Sequence, residues 1–329
     1  MEYEETDYPR EDPLKNARYL IVDIFQMKLV KLLLLIALAI NVILFVVQTY
    51  LFLEKFDKYY FVLYAPLYFG TFFIIIATTA VLSVSHLTPD GLKSLKLWKT
   101  DKINRNIAQR IQMESKLITN YLIASSILAL ISGLLHMFPT KTYKEIFFAY
   151  PIFERFVPTW QNELSWIYRT SFVLTSLTMP ASCNQLVYAT SHVRHQIYVL
   201  LHLAEELNVE SENERIDVLV DDRQFQKNVK ENLIFIFRRH NNIYTVSSDV
   251  KDGIRIFIVL FAVAGGLLGI SVLLFVFMFQ QSLHSDFLHI GSLGMAGVAT
   301  FVAVIAAGQE FENVVNRNSL LPLHLLQVY

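Results

Sequence analysis

His192, His195 and His202 lie close enough along the chain to share a helix side, with 195 and 202 two turns apart, and imidazoles so placed are ready zinc ligands. A zinc site wants further donors, and no Cys, Asp or Glu completes the set at suitable spacing. The expectation is therefore no metal site, with these histidines acting as hydrated or capping groups where a helix leaves a membrane. Other catalytic patterns are missing: the sequence has no Walker loop, no GxSxG elbow, no HExxH and no CxxC. The chain is expected not to be an enzyme and to carry no cofactor.

A second group of residues suggests binding instead. Tyr59, Tyr60, Phe61, Tyr64, Tyr68, Phe69, Phe72 and Phe73 crowd the start of one apolar stretch, and Trp160, Trp166, Tyr168 and Phe172 precede or open another. A belt of aromatics at the membrane–water boundary accounts for Tyr59, Tyr60, Trp160 and Trp166. It does not account for residues a turn or more deeper. Tyr64, Tyr68 and Phe72, with Ser132 and His136 from a third stretch, have the composition of an apolar small-molecule cavity with a few polar handles, though ordinary helix packing remains the alternative. Glycines at 265, 266 and 269 and at 291, 294 and 297 permit close helix approach or bending, and simple packing is the plainer explanation.

The elements that would position these residues follow from charge. Of 329 residues, 54% are hydrophobic and only 17% charged, against about a quarter charged in a soluble domain; mean hydropathy is +0.41. Six windows, 32–53, 59–89, 117–140, 170–193, 256–285 and 287–309, contain no Asp, Glu, Lys or Arg. Each exceeds the ~20 residues that cross a hydrocarbon core. The fold class is thus all-α, a polytopic membrane helical bundle, with spans placed at 32–53, 61–86, 117–138, 168–192, 256–280 and 287–308 in a single membrane domain covering 1–329. A soluble enzyme, a disulfide-stapled secreted domain and a transmembrane barrel are excluded. With 28 basic and 29 acidic residues there is no nucleic-acid footprint. The windows also lack the membrane-depth charge usual in ion-coupled transporters.

Lysine and arginine gather on one side of this pattern. Arg10, Lys15, Arg18, Lys28 and Lys31 precede the first span; Lys93 to Lys116, Arg194 to Arg255 and Arg317 fall on the same side. The positive-inside rule then places the amino terminus in the cytoplasm, and six spans return the carboxyl terminus there. The acidic start (Glu2, Glu4, Glu5, Asp7) is unlike a secretory signal, so the first span is expected to direct its own insertion. Window 59–89, at 31 residues, would reach roughly 45 Å as one helix and must tilt or project. Within the inner loop 193–255, Ile197, Leu200, Leu201 and Ala204 share one helix face, and Phe225, Val229, Leu233, Ile236 and Phe237 repeat at helical spacing. Glu210 to Arg215 reads as an exposed linker between them. A cytoplasmic helical layer continuous with spans four and five is expected.

Three stretches resemble the insect odorant receptors. They are Tyr150-Pro151-Ile152-Phe153 through Glu163-Leu164-Ser165-Trp166-Ile167-Tyr168, then Leu233 to Phe237 with Arg238-Arg239-His240-Asn241-Asn242-Ile243, then Gly308-Gln309-Glu310-Phe311-Glu312-Asn313. The resemblance spans nearly the whole chain, and gustatory receptors of the same superfamily share it. It implies a plasma-membrane, ligand-gated cation channel subunit that pairs with a shared odorant co-receptor, as a hetero-oligomer of four subunits surrounded by membrane lipid. It further implies that a small apolar odorant binds between the outer halves of spans two, three, four and six. On depth and chemistry, Phe172, Ser176, Leu293 and Val298 join Tyr64, Tyr68, Phe72, Ser132 and His136 as expected ligand-binding residues. The family has a seventh, pore-lining span, and Asn318 to Tyr329 do not resemble it; the chain as given is expected to keep the odorant site and lack the channel helix. A non-conducting fragment, or a membrane carrier that works without a partner, is the reading from another class.

Overall fold

The computed structural model describes residues 12–54, 57–95, 97–98, 105–138, 149–212, 223–279 and 288–302, with positions 305, 308, 309 and 312. The described residues form helices and no strand. An amino-terminal helix, with a π-helical turn at Tyr19–Asp23 between Lys15–Arg18 and Ile24–Gln26, precedes α1 (Lys28–Glu54), α2 (Lys58–Val84), α3 (Leu87–Leu95), α4 (Arg105–Met137), α5 (Ala149–Phe156), α6 (Gln161–Glu212), α7 (Arg223–Phe279) and α8 (Leu288–Val302).

A helix bathed in lipid gains nothing by hiding leucine and must turn its polar groups toward other helices. α1 shows this inversion. Its buried positions, Leu34, Ala37, Asn41, Leu44 and Gln48, recur at alternating spacings of three and four. Leu29, Leu32, Leu33, Ile36 and Ile43 are left exposed. Asn41, fully enclosed, donates its amide to the Ala37 carbonyl at 2.8 Å. α7 repeats the pattern, with Ser271 buried and Val263, Ile270, Leu273 and Phe277 outward. Such surfaces would aggregate in water. Among the described residues, four helices are long and apolar enough to cross a membrane: α1, α2 over Phe61–Ser83, α4, and α7 over Asp252–Met278.

The other two expected spans differ for a physical reason. Window 168–192 lies inside α6, which is less apolar because it is the helix the others enclose. No residue from 171 to 204 is exposed, so its Thr, Ser, Asn and Gln side chains meet protein rather than lipid. Thr178 pairs with Thr78 of α2 at 3.0 Å, and the Asn184 amide donates to the Ser125 hydroxyl of α4 at 2.9 Å. The sixth expected span, 287–308, is helical over Leu288–Val302 and at the described positions 305 and 308.

Window 59–89 is not one helix. Asp57 caps α2 by accepting from the Tyr59 N–H at 2.8 Å, and the helix ends before a turn at Ser85 and His86. Pro89, which has no N–H to give, then sits in the first turn of α3, where none is needed. Helix α4 begins twelve residues before the expected start at 117.

Two large hydrophobic clusters result. One joins Leu63, Leu67, Ile74, Ala77, Phe172, Phe261, Leu268 and Leu293 across α2, α6, α7 and α8. The other, at the amino-terminal end, joins Leu14, Ile21, Leu95, Trp98, Leu122, Tyr188, Ile197, Leu200 and Ile236. There α6 and α7 continue as unbroken helices of 52 and 57 residues. Ile197, Leu200, Ala204, Val229 and Ile236 are buried as expected, and Leu201 is half-buried. Phe237 corrects the expected face: it is 66% exposed, and Ile243 takes its place inside. Glu210 to Glu212, expected in a linker, belong to α6, and positions 213–215 lie outside the described residues.

Polar contacts lock this second layer. The Trp98 N–H donates to Gln196 Oε1 at 3.0 Å, and Arg239 Nη2 donates to the same oxygen at 2.8 Å. The Arg239 guanidinium lies 4.3 Å over the Trp98 ring. Glu114 of α4 receives Arg110 Nε and Arg194 Nη2, each at 3.0 Å. Asp12, whose carboxylate is wholly enclosed, accepts the Leu14 N–H at 2.7 Å and the Tyr188 hydroxyl, and lies 3.2 Å from His192 Nε2. Gln185, one turn earlier on α6, donates to the Ile21 carbonyl at 2.7 Å.

Candidate functional site

The chemistry expected of the aromatic and polar candidates gathers at one place for some and not for others. Ser132 and His136 lie one turn apart on α4, Phe172 and Ser176 one turn apart on α6, and Leu293 on α8. All five line one small void with Gly70 and Thr71 of α2. Glycine makes the approach possible: a Cβ on Gly133 would meet Ser176 Oγ at 2.3 Å and the Phe172 carbonyl at 2.9 Å. Contact this close between α4 and α6 brings their serines to the same cavity.

Polar groups here are held by their own helices. His136 Nδ1 is 2.8 Å from the Ser132 carbonyl, and Ser176 donates to the Val173 carbonyl at 3.0 Å. Ser292 of α8 reaches the Ser132 hydroxyl at 3.3 Å, and the His136 ring meets His289 edge-on at 5.7 Å between centroids. Apolar walls with hydroxyl and imidazole handles suit an uncharged ligand with one hydrogen-bonding group. The void measures about 20 Å³. That is room for about one water, so a larger molecule enters only if a wall moves.

Tyr64, Tyr68 and Phe72 line neither this void nor the larger groove between α7 and α8. They point to α1, where Phe45 stacks on Tyr68 at 4.7 Å and on Phe72 at 5.7 Å. The Tyr68 hydroxyl shares a hydrogen bond with Thr49 at 2.8 Å, and Phe52 meets the Tyr64 ring edge-on at 6.3 Å. Residues 64, 68 and 72 share one face of α2, while 67, 70, 71 and 74 share the face toward the void. Tyr168, at the start of the fourth expected span, is buried against Phe172 at 4.9 Å.

Val298, 65% exposed, lines a second and larger space. This apolar groove of about 960 Å³ runs between α7 and α8, with Leu186 and Ala189 of α6 at its floor, and it is open to the outside. The six glycines at 265, 266, 269, 291, 294 and 297 all line it. Close helix approach explains two of them, since a Cβ at Gly265 would meet Phe301 and one at Gly294 would meet Val272, both at 3.2 Å. At Gly266, Gly269, Gly291 and Gly297 an added Cβ meets nothing within 4 Å. These four widen the groove.

The three histidines do not form a metal centre. His192 is engaged by Asp12, the His192 and His195 rings are 6.4 Å apart, and among the described residues no three metal-binding side chains converge. His195 is buried, and burial with the neighbouring His192 and Arg194 pushes its pKa down to about 3. Sequence reasoning overlooked Asp12, Gln196 and Arg239 as structural anchors. One signal was available: Gln185, Tyr188 and His192 fall on one helix face of a charge-free window, and hydrogen-bonding groups so aligned need partners.

No protein-family model matches the chain, and no curated protein or solved structure is detectably similar to it.

Proposed function

We propose that the chain is a receptor subunit of the plasma membrane that detects a small apolar molecule, of the kind the odorant receptors detect. One observation carries this reading: Ser132, His136, Phe172, Ser176 and Leu293, from three helices, line one shared void. In this reading six helices span the bilayer, α6 and α8 completing the set, with the amino terminus and the Asp12 and Trp98 layer in the cytoplasm. Signalling would proceed as a cation channel formed with a co-receptor, through a ligand's different affinity for the open and closed states. A gustatory receptor would share this architecture; a carrier is disfavoured by the lack of Asp, Glu, Lys or Arg in any of the six windows.

Ligand recognition is tested on the purified chain in lipid nanodiscs, with thermal unfolding followed across a panel of six- to ten-carbon alcohols, ketones and esters. At least one compound should raise Tm saturably, since anything that binds only the folded state stabilises it by about 2.7 kcal/mol at a hundredfold excess over Kd. His136→Phe with Ser132→Ala should lose most of that shift. A flat response across the panel, or a shift the double variant leaves intact, refutes the site.

A further inference from the structure

Leu293 belongs to two spaces at once: it lines the small void of about 20 Å³ and the groove of about 960 Å³. It is 5% exposed, and its Cδ2 is the nearest atom to where a Cβ on Gly70 would stand, at 3.4 Å. Leu293, with Leu268 of the groove beside it at 3.8 Å from the same Gly70 position, therefore stands between an apolar groove, floored by Leu186 and Ala189 and widened by four glycines, and a pocket carrying the hydroxyls of Ser132 and Ser176 and the imidazole of His136. Beyond Leu293 on the same helix, Val298 forms an exposed part of the groove wall.

We infer that the α7–α8 groove is the entry site for the ligand, which arrives dissolved in the bilayer, and that Leu293 is the partition it must displace to reach the void. This inference rests on the receptor reading above and adds to it a route and a gate. The occupant is an uncharged molecule with an apolar body and one hydrogen-bonding group. Its body is at home among the groove's mostly apolar walls, whose few polar groups include Gln185 and Thr300, and past Leu293 its polar group gains Ser132 or His136 as a partner. The void is too small for such a molecule while Leu293 keeps its place, so admission and gate movement are one event. The leucine swing merges the two spaces without disturbing the Gly133 contact between α4 and α6.

The test is photolabelling of the full chain in phosphatidylcholine nanodiscs with octanol bearing a diazirine on its chain, followed by proteolysis and mass spectrometry. In the unaltered protein, label should appear on α7 and α8 around the groove and on the 132–136 segment, and unlabelled octanol should compete with both. Leu293→Trp should lower the ratio of void label to groove label at least fivefold, and Leu293→Ala should raise it severalfold. Val298→Trp, on an exposed wall where folding is not at stake, should reduce label at both places. An unchanged ratio in both Leu293 variants overturns the partition and leaves the receptor site standing. Void label without groove label overturns the route alone. Groove label that octanol does not displace means acyl chains fill it, which also overturns the route. Absence of void label in every form, Leu293→Ala included, removes the binding site and this inference with it.

Discussion

Asp12→Ala is expected to cost on the order of 3–5 kcal/mol of stability, the usual consequence of removing one partner from a buried charged pair. The carboxylate is fully enclosed and serves the Leu14 N–H, the Tyr188 hydroxyl, His192 and, at 3.8 Å, Arg18. Removing it strands groups that water cannot reach and frees the amino-terminal helix from α6. Asp12→Asn should cost less, because an acceptor oxygen remains for Leu14. Acid should act through the same layer. Burial alone would raise the Asp12 pKa, but the His192 and Tyr188 hydrogen bonds outweigh it and hold it below its ordinary 3.8. His195 moves the same way, from 6.5 to about 3. In both cases the unfolded chain binds protons at a higher pH than the folded one, so stability is complete above the unfolded value and falls with pH. The His195 contribution drains from about pH 6.5 down to 3, and the Asp12 contribution only below 3.8. Thermal unfolding in detergent across this range should show both limbs, and His195→Gln should shrink the upper one, to which His240, its pKa also lowered by burial, contributes as well. A Tm independent of pH between 7 and 4 contradicts the assignment.

Gly133→Ala is the second large effect. Its methyl group would stand 2.3 Å from Ser176 Oγ, 2.8 Å from Ser176 Cβ and 2.9 Å from the Phe172 carbonyl. The hydroxyl can rotate away, but the carbonyl belongs to the α6 backbone and cannot. Overpacking of this kind costs about 1–3 kcal/mol, and Gly133→Val should exceed it. Ser176→Gly should recover part of the loss in the Gly133→Ala background, and only part, because the Phe172 carbonyl stays. Gly266→Ala and Gly269→Ala provide the contrast. Nothing stands near either site, so each should gain up to about 1 kcal/mol from helix propensity. Equal effects at Gly133 and Gly266 would contradict the close α4–α6 contact.

What the sequence disclosed and what it hid divide along the dimensionality of the signal. A charge-free window is a property of the line of residues, so the helical class and the four strongly apolar helices were legible from composition and spacing alone. So was the helical continuation of α6 and α7 into a second layer. Helix rotation was not. A segment that is apolar on every side, as α2 is, gives no periodicity to say that 67, 70, 71 and 74 face the void while Tyr64, Tyr68 and Phe72 face Phe45 and Phe52. Ser132 and His136 were legible because polar residues in an apolar helix must face protein, and their helix has few alternatives. The Asp12–Tyr188 bond spans 176 positions, a separation at which no local pattern reports a partner. The α7 and α8 glycines were legible as a feature, but their spacing does not distinguish a helix contact from an open groove.

One orientation of the chain underlies both the ligand route and the placement of the Asp12 layer, and glycosylation mapping in microsomes reads it directly. Acceptor sites are inserted singly into the amino-terminal residues 1–11, into 99–104, 139–148, 213–222 and 280–287, and modification is scored by a mass shift that a glycosidase reverses. Six spans with a cytoplasmic amino terminus require modification at 139–148 and 280–287 and at none of the other three. Modification of the amino-terminal segment, or of 213–222, would put the layer built on Asp12, Trp98 and Arg239 on the wrong side of the membrane and contradict the receptor architecture proposed for this chain.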